Sequence, residues 1–69
     1  MAKRNFRAVE LLDHVKEHVE DLFEWAQLAR AHAVCGDNNE EALELVDSIL
    51  TNLDFAKSYA EDARRALSR

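Results

Sequence analysis

Residues 34–42 read VCGDNNEEA, and they hold the only glycine of a chain of 69 residues that contains no proline. Gly36 suits the left-handed backbone conformation that often follows the last residue of a helix. Asn38 with Glu41, or Asp37 with Glu40, has the spacing of a capping box that begins a new helix. This segment therefore predicts a tight turn over 36–38 between two helices.

On both sides of the turn, apolar residues recur in alternating steps of four and three, which is typical of left-handed helix packing. The helices are expected over about 4–35 and about 39–67, because Ala, Leu, Glu and Arg favour helix. The predicted seam between them is Ala8, Leu12, Val15, Val19, Leu22, Ala26, Ala29 and Ala33 against Ala42, Val46, Ile49, Leu53, Ala56, Ala60, Ala63 and Leu67. The expected fold is all-α, a single antiparallel two-helix hairpin domain over residues 1–69.

A chain of this length is marginally stable as a monomer, because it buries only about 60% of the surface that its unfolded form exposes. Small domains gain stability from disulfides, metals or a second subunit, and Cys35 alone cannot form an internal disulfide. The sequence therefore predicts a homodimer in which two hairpins form a four-helix bundle.

The predicted seam leaves two sets of apolar residues uncovered, and large uncovered patches normally mark interfaces. One interpretation assigns both sets to the core of the homodimeric four-helix bundle. The other divides them, with an aliphatic flank as the dimer interface, formed by Phe6, Val9, Phe23, Leu43 and Leu50. An aromatic flank has the composition of protein-binding hot spots. Its predicted partner-binding residues are Trp25, Leu28, His32, Leu45, Phe55 and Tyr59. We therefore expect a small adaptor, antagonist or regulator that occludes or stabilises a larger protein.

The charge distribution leaves two other interpretations open. The chain has a net charge of −5, which argues against general coating of nucleic acid. Six of its nine basic residues crowd the two ends, namely Lys3, Arg4, Arg7, Arg64, Arg65 and Arg69. The hairpin architecture resembles that of Rop-type plasmid RNA-binding regulators, without a shared motif, and this resemblance implies RNA binding, for which the basic end is the candidate. The acid-rich middle of the chain permits the opposite role, mimicry of nucleic acid.

The sequence contains few motifs that could support catalysis or metal binding, and these are short. Residues 14–18, HVKEH, match the spacing of an inverted zincin, but a hairpin of this size offers no cleft for a peptide. Cys35 is expected at a helix C-terminus, where the dipole disfavours a thiolate. We therefore expect no catalytic residues, no metal and no cofactor. The chain has no apolar run long enough to cross a membrane and no secretory signal at its start, so the expected location is the cytoplasm.

Overall fold

A computed structural model of the chain describes residues 4–36 and 39–68, which form two helices and no strand. Helix α1 spans Phe6–Cys35 and α2 spans Asn39–Leu67. The two helices pack against each other along their length, so the predicted all-helical hairpin is confirmed. Helix α2 has the predicted bounds, whereas α1 begins two residues later than expected because Asn5 caps it.

Asn5 ties the beginning of the first helix to the end of the second. Its side-chain oxygen accepts a hydrogen bond from the backbone N–H of Ala8 at 3.0 Å, which satisfies a donor that the first turn of a helix leaves free. Its side-chain nitrogen donates to the backbone oxygen of Ala66 at 2.8 Å. One amide side chain therefore fixes both the start of α1 and the register of α2 against it.

The helices separate at Gly36, which has a φ of 71° and ends α1 in the predicted left-handed conformation. Its backbone N–H donates to the carbonyl oxygen of His32 at 3.0 Å, as expected of a helix C-cap. The predicted capping box depends on Asp37 or Asn38, and both lie outside the described residues.

The hairpin seam differs from the prediction at every second position. The residues that are buried or half-buried along the seam are Ala8, Leu11, Val15, His18, Leu22, Trp25, Ala29 and His32 in α1, and Ala42, Leu45, Ile49, Asn52, Ala56, Tyr59, Ala63 and Ala66 in α2. The predicted seam residues that are instead exposed are Leu12, Val19, Ala26, Ala33, Val46, Leu53, Ala60 and Leu67. The two heptads are equally regular and share half of their positions. In the observed one, His18 and Asn52 are hydrogen-bonded to each other across the seam.

The hairpin is a rod with a thin core. Its principal extents are 56 × 17 × 12 Å, and its radius of gyration is 16.0 Å. A compact domain of this length has a radius of gyration of about 11 Å. Within the described residues, neither helix contains a stretch long and apolar enough to cross a membrane.

Candidate interaction surfaces

A polar contact lies at the middle of the seam, between His18 and Asn52. The ring nitrogen Nδ1 of His18 is hydrogen-bonded to Oδ1 of Asn52, whose side chain is buried with the residue only 7% exposed. The side-chain nitrogen of Asn52 donates to the backbone oxygen of His18 at 3.2 Å. Because that amide nitrogen donates, Oδ1 is the acceptor and the Nδ1 of His18 carries the proton.

Aromatic rings surround this contact on one side of the hairpin. The ring of Tyr59 stacks on His14 at a centroid distance of 4.8 Å and on His18 at 5.6 Å. The ring of Phe55 lies nearly parallel to that of His18 at 6.1 Å. Both histidines of the HVKEH motif therefore stack on the ring of Tyr59. No cluster of three metal-binding side chains occurs within residues 4–36 and 39–68.

The predicted partner-binding residues divide into two groups. Trp25, His32, Leu45 and Tyr59 are half-buried in the seam between the helices, so they stabilise the hairpin itself. Leu28 and Phe55 are 52% and 55% exposed and remain available to another molecule.

An open groove of about 370 Å³ runs beside Phe55 on this side of the hairpin. Its lining residues are Trp25, Asp47, Ser48, Thr51, Asn52 and Phe55. The exposed part of the aromatic flank is thus narrower than the sequence predicted, and Trp25 and Phe55 both line its groove.

The opposite side of the hairpin carries a much larger exposed surface, which we term the apolar face. With the seam residues at heptad positions a and d, antiparallel helices bring their e positions together on one side, with the b positions at its two edges. The exposed apolar residues at these positions are Val9, Leu12, Val19, Phe23, Ala26 and Ala33 of α1, and Leu43, Val46, Leu50, Leu53, Ala60 and Leu67 of α2.

The apolar face takes in most of the predicted dimer interface. Val9, Phe23, Leu43 and Leu50 lie on its edges, and the exposed half of the predicted seam fills its centre. Phe6 is 72% exposed but lies two residues before Ala8, at the first residue of α1, which directs it away from the centre of the face.

Charges on the apolar face have one sign. Its only charged residues are Lys16, Arg30, Lys57 and Arg64, all at edge positions. Every Asp and Glu of the two helices lies at the remaining c, f and g positions. The face is therefore a broad apolar strip with cationic edges, and the acidic residues of both helices lie outside it.

The hairpin exposes more surface than a compact protein of its mass. The chain exposes 5811 Å². A globular monomer of 7.9 kDa exposes about 4,400 Å² according to the surface scaling of folded proteins. The hairpin thus exposes roughly 1,400 Å² more than a globular monomer of its mass, as its elongated shape of 56 × 17 × 12 Å requires.

The basic end of the hairpin is partly neutralised within the described residues. Arg65 pairs with Asp62 at 2.7 Å, and Arg7 lies 3.6 Å from Glu10. Lys3 and Arg69 lie outside the described residues. Cys35 is exposed at the turn end as a free thiol.

Comparison of this chain with protein-family models, with curated proteins and with solved structures finds no significant match.

Proposed function

We propose that this chain is a small protein-binding module without catalytic activity, which pairs with a second copy through the apolar face to form a four-helix bundle. The observation that carries the proposal is the continuous exposure of large aliphatic side chains along this face, such as Val19, Leu50 and Leu53. A contiguous apolar surface of this extent is costly in water and is normally covered by another protein.

In such a bundle, the groove beside Phe55 stays accessible, because it lies on the side opposite the apolar face. Its chemistry fits a basic segment of a larger protein that carries one or two apolar side chains. Phe55 and Leu28 supply apolar contacts, and Asp47 lines the groove. Asp21 lies at a flanking position of the same side and favours a cationic partner. Binding there occludes or stabilises that segment, as an adaptor or antagonist does.

The exposed thiol of Cys35 fits a reducing compartment such as the cytoplasm, where single cysteines remain reduced.

Sedimentation equilibrium of wild type, Leu53→Glu and Ser58→Glu tests the dimer. Both substitutions add one negative charge to an exposed position of α2, but only Leu53 lies on the apolar face. Burying an unpaired carboxylate costs several kcal/mol, and about 3 kcal/mol raises the dissociation constant by more than a hundredfold. We expect wild type and Ser58→Glu to be dimers and Leu53→Glu to be a helical monomer. A monomeric wild type, or a dimeric Leu53→Glu, would contradict the proposal.

Affinity capture from the native host with Phe55→Ala and Phe6→Ala tests the binding surface. Each variant loses one exposed phenylalanine side chain, but only Phe55 lines the groove. We expect a stoichiometric protein that binds wild type and Phe6→Ala and is lost with Phe55→Ala. A different outcome is that wild type captures nucleic acid. If Arg64→Glu and Arg65→Glu abolish this capture and Phe55→Ala leaves it unchanged, the result would support a role for the basic end.

A further inference from the structure

Along each helix of the apolar face, residues at equal distances on either side of a central residue complement each other in size or charge. A surface needs such complementarity if it is to pack against a copy of itself about a two-fold axis. In α1, Leu12 and Ala26 lie at equal distances before and after Val19, and Lys16 and Phe23 also lie on either side of it. If a second α1 lies antiparallel to the first about Val19, Leu12 of one copy faces the smaller Ala26 of the other. Lys16 of one copy then faces the aromatic ring of Phe23 of the other.

Helix α2 repeats this pattern about Leu53. Val46 and Ala60 lie at equal distances from it, and Leu50 and Lys57 lie on its two sides. All four cations of the face take part in such pairs. The pairs are Val9 with Arg30 and Lys16 with Phe23 in α1, and Leu43 with Arg64 and Leu50 with Lys57 in α2.

The two centres of inversion lie at the same height in the hairpin. Val19 directly follows His18, Leu53 directly follows Asn52, and the side chains of His18 and Asn52 are hydrogen-bonded to each other across the seam. A single two-fold axis can therefore pass beside both Val19 and Leu53.

We propose that the second copy packs on the apolar face about this axis, with α1 antiparallel to the second α1 and α2 antiparallel to the second α2. The arrangement rests on the homodimer proposed above and specifies its geometry. Each lysine or arginine of one copy lies over an aliphatic or aromatic side chain of the other. Its methylene stem covers apolar surface while its charged end reaches water, and Lys16 adds a cation–π contact to Phe23.

Charge complementarity favours this axis over the other two-fold arrangement, in which the axis is parallel to the helices and α1 packs on the second α2. There, Lys16 faces Lys57 of the second copy, because the two residues lie at the same height. The basic ends, with Arg7 and Arg64, also meet each other. The antiparallel arrangement instead sets each basic end beside the turn end of the other copy, where Glu40 and Glu44 lie.

Cysteine cross-linking in a Cys35→Ser background tests the geometry. The variants are Val19→Cys and Leu53→Cys on the proposed axis, with Glu20→Cys as the control on the outer side of α1. Each is treated with a short bis-maleimide, alone and in an equal mixture of Val19→Cys with a size-tagged Leu53→Cys. Sedimentation of each variant before treatment reports the oligomeric state.

We expect Val19→Cys and Leu53→Cys each to shift most of the chain to twice its mass, Glu20→Cys to remain single, and mixed Val19–Leu53 products to be absent. Predominant mixed products, or dimers by sedimentation that do not cross-link at Val19 and Leu53, would overturn the antiparallel axis and leave the dimer standing. A monomer in sedimentation would overturn the dimer itself, and with it this geometry.

Discussion

The contact between His18 and Asn52 makes a quantitative prediction for Asn52→Ala. The substitution removes two hydrogen bonds from the seam, one to the imidazole and one to the backbone oxygen of His18. The backbone oxygen of His18 keeps its hydrogen bond within α1, so losing the additional bond from Asn52 costs little free energy. The Nδ1–H of His18 is left without an acceptor in a half-buried site, which costs about 1–3 kcal/mol.

Two further contributions set the net value. The space that Asn52 vacates is nearly closed to water, since the residue is only 7% exposed, so part of its packing is lost as well. Alanine is the better helix former by roughly 0.6 kcal/mol, which offsets some of this loss. We expect the free energy of unfolding to fall by about 2 kcal/mol. For a chain of this length, that is a drop in Tm on the order of 10 °C.

Urea unfolding followed by far-UV circular dichroism measures this difference at one fixed protein concentration. Ser58→Ala is the matched control, because it makes a similar gain in helix propensity at an exposed position of the same helix. An Asn52→Ala variant that unfolds within about 0.5 kcal/mol of Ser58→Ala would refute the stabilising role of this contact. The double variant His18→Leu/Asn52→Leu replaces both polar partners, so we expect it to recover most of the lost stability.

Three other substitutions have expected outcomes that thermal unfolding can measure. Gly36→Ala should cost about 1–2 kcal/mol through backbone strain alone, because its φ is 71° and no atom lies within 4 Å of an added Cβ; an unchanged Tm would contradict the left-handed turn. Asn5→Ala should cost about 2 kcal/mol by removing both the cap and the bond to Ala66, whereas Asn5→Asp keeps the cap acceptor and should lose less; equal losses would show that the cap contributes little. Arg65→Ala breaks an exposed ion pair with Asp62 and should change stability by less than about 0.5 kcal/mol; a loss above 1 kcal/mol would indicate a stronger contact there.

The end of α1 and the bounds of α2 could be predicted, whereas the start of α1 lies two residues later than predicted. Gly36 is the only residue of the chain free to adopt a positive φ without cost, and no proline interrupts either helix. Asn5 could have been recognised as a cap, since it precedes the apolar pattern of α1, but its bond to Ala66 joins residues that are far apart in sequence.

The seam was half wrong because periodicity alone does not choose between two neighbouring heptads. Leu11 and Leu12 fit the two patterns equally well, and so do Trp25 and Ala26. Preference for apolar seam residues favoured Val19 over His18. That preference fails where two polar side chains form a hydrogen bond with each other in the seam. The hydrogen bond between His18 and Asn52 depends on the register of two separate helices, which periodicity within each helix does not specify.

The antiparallel packing brings the start of α1 and the end of α2 together at one pole of the hairpin, where Asn5 is hydrogen-bonded to Ala66. At the opposite pole, α1 ends with Gly36 as its C-cap. Each helix is about 45 Å long at 1.5 Å per residue, so hinging the hairpin open would separate its ends by up to about 90 Å without melting either helix. A fluorophore pair at residues near Asn5 and Ala66 therefore reports hairpin opening as a change in distance, whereas circular dichroism registers only the loss of helix.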